Sequence, residues 1–101
     1  MAYPRVIEPI GKVTATLVAQ NTFSDAIAMH RGGFNFSISG ISGDTVYLQR
    51  SANGGVTWGD IASYTEDGWY PGNEPEHGIK YRAGIKTGGY SAGTVIVTIS
   101  F

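Results

Sequence analysis

Asp60, Glu66, Asp67, Glu74 and Glu76 gather in one stretch of the chain. Two carboxylates at a suitable separation could act as acid and base in glycoside hydrolysis. The same oxygens could hold a hard cation such as Ca²⁺, but the spacing is not that of a calcium loop. Solvation is the plainer fate of such acids, so neither a metal nor another cofactor is expected. His30 and His77 are the only histidines, and they lie in different segments. Ser39-Gly40-Ile41-Ser42-Gly43 lacks the spacing of a nucleophile elbow and is turn chemistry. The glycine doublets 32–33, 54–55 and 88–89 open no helix, which removes the dipole argument for phosphate binding. The expectation is a protein that is not an enzyme.

Trp69, Tyr70 and Pro71 sit among those acids. Aromatic rings beside polar acceptors can stack on a sugar. They can equally anchor a subunit contact, where Trp and Tyr are favoured. They can also lie as a lid over the open end of a small core. All three readings stand on the sequence.

Composition narrows the field. At 101 residues the chain has room for one core. Seven Lys+Arg against eight Asp+Glu give a net charge of −1, so there is no global basic field for nucleic acid. No apolar run is long enough to span a membrane as a helix, and the first residues lack the pattern of a secretory signal. With no Cys, disulfides, thiolate zinc sites and Cys nucleophiles are excluded. Charged residues make up only 15%, against about 25% in an average domain. So thinly charged a surface suggests burial in an assembly.

Period-two alternation supplies the elements. Val13 to Gln20, Phe34 to Ser39, Thr45 to Ser51, Trp58 to Tyr64, Ile79 to Ile85 and Thr94 to Phe101 read as strands. Ala26 to His30 could form one helical turn, but Gly32 and Gly33 follow at once and favour a short strand. Asn53-Gly54-Gly55 marks a hairpin. Residues 65–78 read as a long irregular loop, of a kind that is usually functional or mobile. Pro4 and Pro9 make residues 1–11 an extended arm, and 12–101 the single domain. The fold class is therefore all-β, an antiparallel β-sandwich of about seven strands with an N-terminal arm. Lys80, Arg82 and Lys86 share one face of their strand and predict a small positive patch, or simply a solvated face.

Three resemblances follow from these residues. Ser51-Ala52-Asn53-Gly54-Gly55-Val56-Thr57-Trp58 resembles the Asp-box of sialidase-like propellers, with Asn53 where that motif prefers Asp. One copy cannot make a propeller, so this is a hairpin tip. Glu76 to Arg82 resembles the tyrosine corner of Greek-key sandwiches, with Tyr81 bonding back to the preceding loop. More widely, Phe34-Asn35-Phe36-Ser37-Ile38-Ser39-Gly40, Gly43 to Ser51, Gly54 to Trp58, Glu74 to Lys86 and Ser91 to Ser100 look like small structural proteins of tailed-phage virions. That resemblance implies an Ig-like or jelly-roll-like sandwich and no catalytic motif. It implies a capsid decoration or cement protein on the surface of the phage particle, made in the host bacterial cytoplasm. The expected partners are copies of itself, as a homo-oligomer such as a trimer, and the phage major capsid protein. The alternative is a tail- or fibre-associated module that holds cell-surface glycan. No nucleic acid or membrane is expected as partner. The expected contact residues are Tyr3, Pro4, Arg5, Val6 and Ile7 in the arm, and Trp69, Tyr70 and Pro71.

Overall fold

In the computed structural model, residues 11–101 are described, and all their regular structure is strand. Nine strands run in chain order: β1 Lys12–Leu17, β2 Thr22–Phe23, β3 Ile27–Met29, β4 Gly32–Ser39, β5 Val46–Ser51, β6 Gly59–Tyr64, β7 Gly68–Glu74, β8 Ile79–Ile85 and β9 Val95–Ser100. They form two antiparallel sheets. Sheet A has the order β1-β9-β4-β7. Sheet B has the order β2-β8-β5-β6, with β3 also on β8. Of the expected arm, residues 1–10, with Tyr3 to Ile7, lie outside the described residues.

Alternation decides which side chains meet between the sheets. In sheet A one inward row is Val13, Ile99, Phe36 and Tyr70, and the next is Ala15, Val97, Ile38 and Gly68. Sheet B answers with Val46, Leu48, Ala83, Ile79 and Ile85, all buried. Phe36, Val95, Val97 and Ile99 are fully enclosed. Each such side chain contributes about 1.5–3 kcal/mol by leaving water. Among the described residues the chain passes from one sheet to the other at most steps, and β5–β6 is the one pair of neighbours in sequence that also pair in a sheet.

Nine strands replace the seven read from the pattern because two lie where it fails. β2 is two residues long and leads into a break at Ser24. There the Ser24 N–H donates to the Ala83 carbonyl at 2.7 Å, and the Ala83 N–H donates to Ser24 Oγ at 3.1 Å. The ladder against β8 thus continues through the gap to β3. β7 corrects the expectation of a loop over residues 65–78. Pro71, Gly68 and Gly72 hide a period of two in which Tyr70 and Glu74 face in and Trp69, Pro71 and Asn73 face out. Proline is tolerated because β7 is an edge strand, where a missing N–H costs no ladder bond. Gly72 has its own reason: a Cβ there would strike the Phe34 ring that lies across it. Gly40, at φ +86, turns β4 so close to the Thr94 carbonyl that no side chain fits.

Candidate binding surface and the polar clamp beneath it

β7 is held to sheet B by a buried polar cluster. Glu74 is fully enclosed, on the inward face of sheet A. Arg50, on the inward row of β5, donates Nε to Glu74 Oε1 at 2.8 Å and Nη2 to Oε2 at 2.7 Å. The Tyr81 hydroxyl donates to Oε1 at 2.8 Å, and the Glu76 N–H to Oε2 at 3.0 Å. Four donors therefore saturate one carboxylate, and the fork-shaped Arg pair fixes its angle. The Arg50 hydrogen bonds outweigh burial, with help from Tyr81 and the Glu76 N–H, and hold the Glu74 carboxyl down at about 2. Burial, then the neighbouring Glu74, pushes the Tyr81 phenol up to about 12. Tyr81 thus bonds a carboxylate, where the tyrosine-corner reading has it bond backbone. Tyr70 makes that kind of bond instead, its hydroxyl donating to the Glu66 carbonyl at 2.7 Å.

Two more carboxylates fasten turns. Asp44 is buried and accepts N–H bonds from Ser42, Ser91 and Ala92. Burial pushes its carboxyl up, and those three N–H groups more than reverse this, leaving it below the usual range. Asp67 accepts the N–H groups of Gly40 and Ile41, at 3.0 and 2.8 Å. At the hairpin tip the bonds are local and close on Asn53 and Ser51. Asn53 Oδ1 accepts from the Thr57 N–H at 3.0 Å, and Ser51 Oγ accepts from the Gly55 N–H at 2.9 Å.

The outer face of sheet B carries the positive residues of β8, and most of them are engaged. The Arg82 guanidinium lies between two rings, 4.2 Å from the centre of Phe23 and 4.5 Å from that of Trp58. Its Nε donates to Gln49 Oε1 at 2.7 Å. Gln49 passes the link on, donating Nε2 to Asp60 Oδ1 at 2.8 Å. Lys86 closes the chain, with Nζ 2.6 Å from Asp60 Oδ2 and 4.5 Å from the Tyr47 ring. Bonds from Lys86 and Gln49 hold the Asp60 carboxyl below its usual range, and Asp60 raises Lys86. The positive patch is therefore largely neutralised in place. Gln49, which joins its two halves, went unnoticed in the sequence because nothing local marks it.

The outer face of sheet A is different. Cross-strand register lines up Thr14, Thr98, Ser37 and Trp69 in one row. Lys12, Ser100, Asn35 and Pro71 form the next, and Thr16, Ile96 and Ser39 a third. Lys12 is the one charged side chain in these rows. Thr14 and Thr98 share a hydroxyl hydrogen bond at 3.1 Å. Trp69 stands 82% exposed at the end of its row.

The structure thus separates the expected contact residues. Trp69 and Pro71 share the outer face. Tyr70 points the other way, half-buried, with its ring 4.1 Å from that of Tyr64 and 6.4 Å from Phe36. The lid reading fits Tyr70, and the contact readings are left to Trp69 and Pro71. The clustered acids also part: Glu74 lies between the sheets, Asp60 on sheet B and Asp67 at a turn of sheet A. His30 packs edge-on against Phe101, 5.3 Å between centroids. What the sequence reading missed is the company of seven Ser, Thr and Asn side chains in these rows beside Trp69, visible only once strands far apart in sequence are laid side by side. In comparisons with models of known families, with curated proteins and with solved structures, nothing matches this chain.

Proposed function

We propose that this protein is a structural component of a tailed-phage virion, a capsid decoration or cement module that acts by docking and performs no chemistry. The observation that carries the reading is the way the sandwich is cross-linked. Glu74 ties the edge of sheet A to two strands of sheet B with charge-assisted bonds, and Asp44 and Asp67 pin the turns. Such a body transmits load between neighbours without yielding. The stretches that resemble virion proteins, from Phe34 to Ser100, support the same reading, with the two sheets as a version of the Ig-like or jelly-roll-like plan. The proposal assigns the capsid contact to Tyr3, Pro4, Arg5, Val6 and Ile7, whose segment leads into the edge strand β1. An extended segment gains affinity by adding backbone hydrogen bonds to a neighbour. Copies of the chain, as a homo-oligomer such as a trimer, multiply that contact on the particle surface.

Co-sedimentation with heads assembled from the capsid protein encoded in the same genome tests this. The full chain should pellet with the heads, and a chain lacking residues 1–10 should stay in solution while keeping its urea midpoint. Failure of the full chain to pellet overturns the capsid assignment, and pelleting of the truncated chain overturns the role of the arm. The exposed Trp69 favours a second role on the same particle, contact with glycan.

A further inference from the structure

We infer that the outer face of sheet A is a binding platform for a neutral glycan, with Trp69 as the ring on which a sugar stacks. The inference deepens the glycan role named above for Trp69 and does not depend on the capsid assignment. Three features of the face select this occupant. The first is Trp69 itself, 82% exposed on an edge strand. A large flat ring held out of the core can cover the apolar C–H face of a pyranose.

The second is the chemistry of its row. Ser37, Thr98 and Thr14 follow Trp69 across the sheet, and Asn35 and Ser100 lie in the row beside them. Hydroxyls and amides both donate and accept, as sugar hydroxyls do. With Lys12 the one charge in the rows, an acidic polysaccharide or a highly charged protein surface finds no complement there. A neutral chain of hydroxyls finds one.

The third is size. Four strands about 4.8 Å apart, with outward residues over about 20 Å of β4, give a flat footprint of about 400 Å². Each side of a standard protein interface buries roughly 800 Å². The face is therefore small for a second copy of the chain. It suits a short glycan segment, laid along the row from Trp69 towards Thr14 over about 14 Å. Pro71 sharpens this, because a strand edge without its N–H is a poor template for an added protein strand.

Affinity electrophoresis in gels containing a β-glucan, a mannan or a galactan tests the inference, with alginate as the acidic counterpart. The full chain should be retarded by at least one neutral polymer and not by alginate. Trp69→Ala should lose at least tenfold of that affinity, Trp69→Phe should keep most of it, and Lys12→Gln should change it less than twofold. All three variants should keep the wild-type urea midpoint. Retardation by alginate alone, by none of the polymers, or equally in Trp69→Ala overturns the inference. So does self-association in sedimentation equilibrium that Trp69→Ala abolishes, which would make the face a contact between copies. Trp69→Ala should still pellet with phage heads, so loss of glycan binding and loss of capsid binding are separable results.

Discussion

The outer faces of the two sheets are made by the same alternation and finish with opposite chemistry. On sheet B, Arg82, Gln49, Asp60 and Lys86 are linked in series, and Phe23, Trp58 and Tyr47 cover the cations. On sheet A, the polar side chains are short and almost all uncharged, and the one large ring among them faces solvent. A face whose polar groups satisfy one another is closed to a ligand, because binding must first break those bonds. A face of hydroxyls and amides exposed to water exchanges those waters for a ligand at much lower cost. Counting exposed aromatic residues along the sequence would have treated Trp58 and Trp69 alike. Their surroundings separate them.

The comparison can be broken most severely through β9. It lies between β1 and β4, so truncation before Val97 should abolish cooperative unfolding altogether, seen as loss of the urea transition. Next comes the clamp that holds β7 and its Trp69 in place. Glu74→Gln removes the buried carboxylate to which half-buried Arg50, Tyr81 and the Glu76 N–H all donate, and should cost about 3 kcal/mol in urea denaturation. If the cost is under about 1 kcal/mol, β7 is held by packing alone.

The pH profile tests the same clamp without mutation. Glu74 is held at about 2 when folded against 4.5 ordinarily. Its contribution, on the order of 3 kcal/mol, is complete above that ordinary value and is lost as pH falls towards 2. Tyr81 sits at about 12 against 10. Its folded form keeps the proton, so that contribution is complete below pH 10 and is lost as pH rises through 12. Stability should therefore be level between about pH 5 and 10 and fall at both ends. Glu74→Gln should flatten much of the acid limb, leaving the parts due to Asp44 and Asp60.

Smaller effects distinguish the faces themselves. Arg82→Ala removes two ring contacts and the bond to Gln49, and should cost about 1–2 kcal/mol. Trp69→Ala should stay within about 0.5 kcal/mol of the parent. If Trp69→Ala costs as much as Arg82→Ala, the ring belongs to the fold and the contrast between faces disappears.

Six strands could be read from alternation alone, and five of them supply buried core residues, whereas β6 supplies none. Phe34, Phe36 and Ile38, or Val95, Val97 and Ile99, carry a pattern strong enough to survive without context. β7 could not be read that way, since glycine and proline hold alternate places and give no apolar signal. Its assignment depends on Phe34 covering Gly72 and on Arg50 reaching Glu74, contacts made 24 residues or more from home in the latter case. The candidate surface was half visible. Trp69 and Pro71 were named from composition, but grouped with Tyr70, because neighbours in a loop can share a site whereas neighbours in a strand face apart. The hydroxyl row beside Trp69 draws on β1, β4 and β9, and register between such distant segments is not written in any local pattern.

The place of β9 has a consequence for biosynthesis. β1 leaves the ribosome early, yet it cannot meet its neighbour until Val95 to Ser100 has emerged, and β4 has only β7 beside it until then. Until then β1 and one edge of β4 stand bare. Sheet A should therefore close last, after the β4–β7 pair and every strand of sheet B have been synthesised.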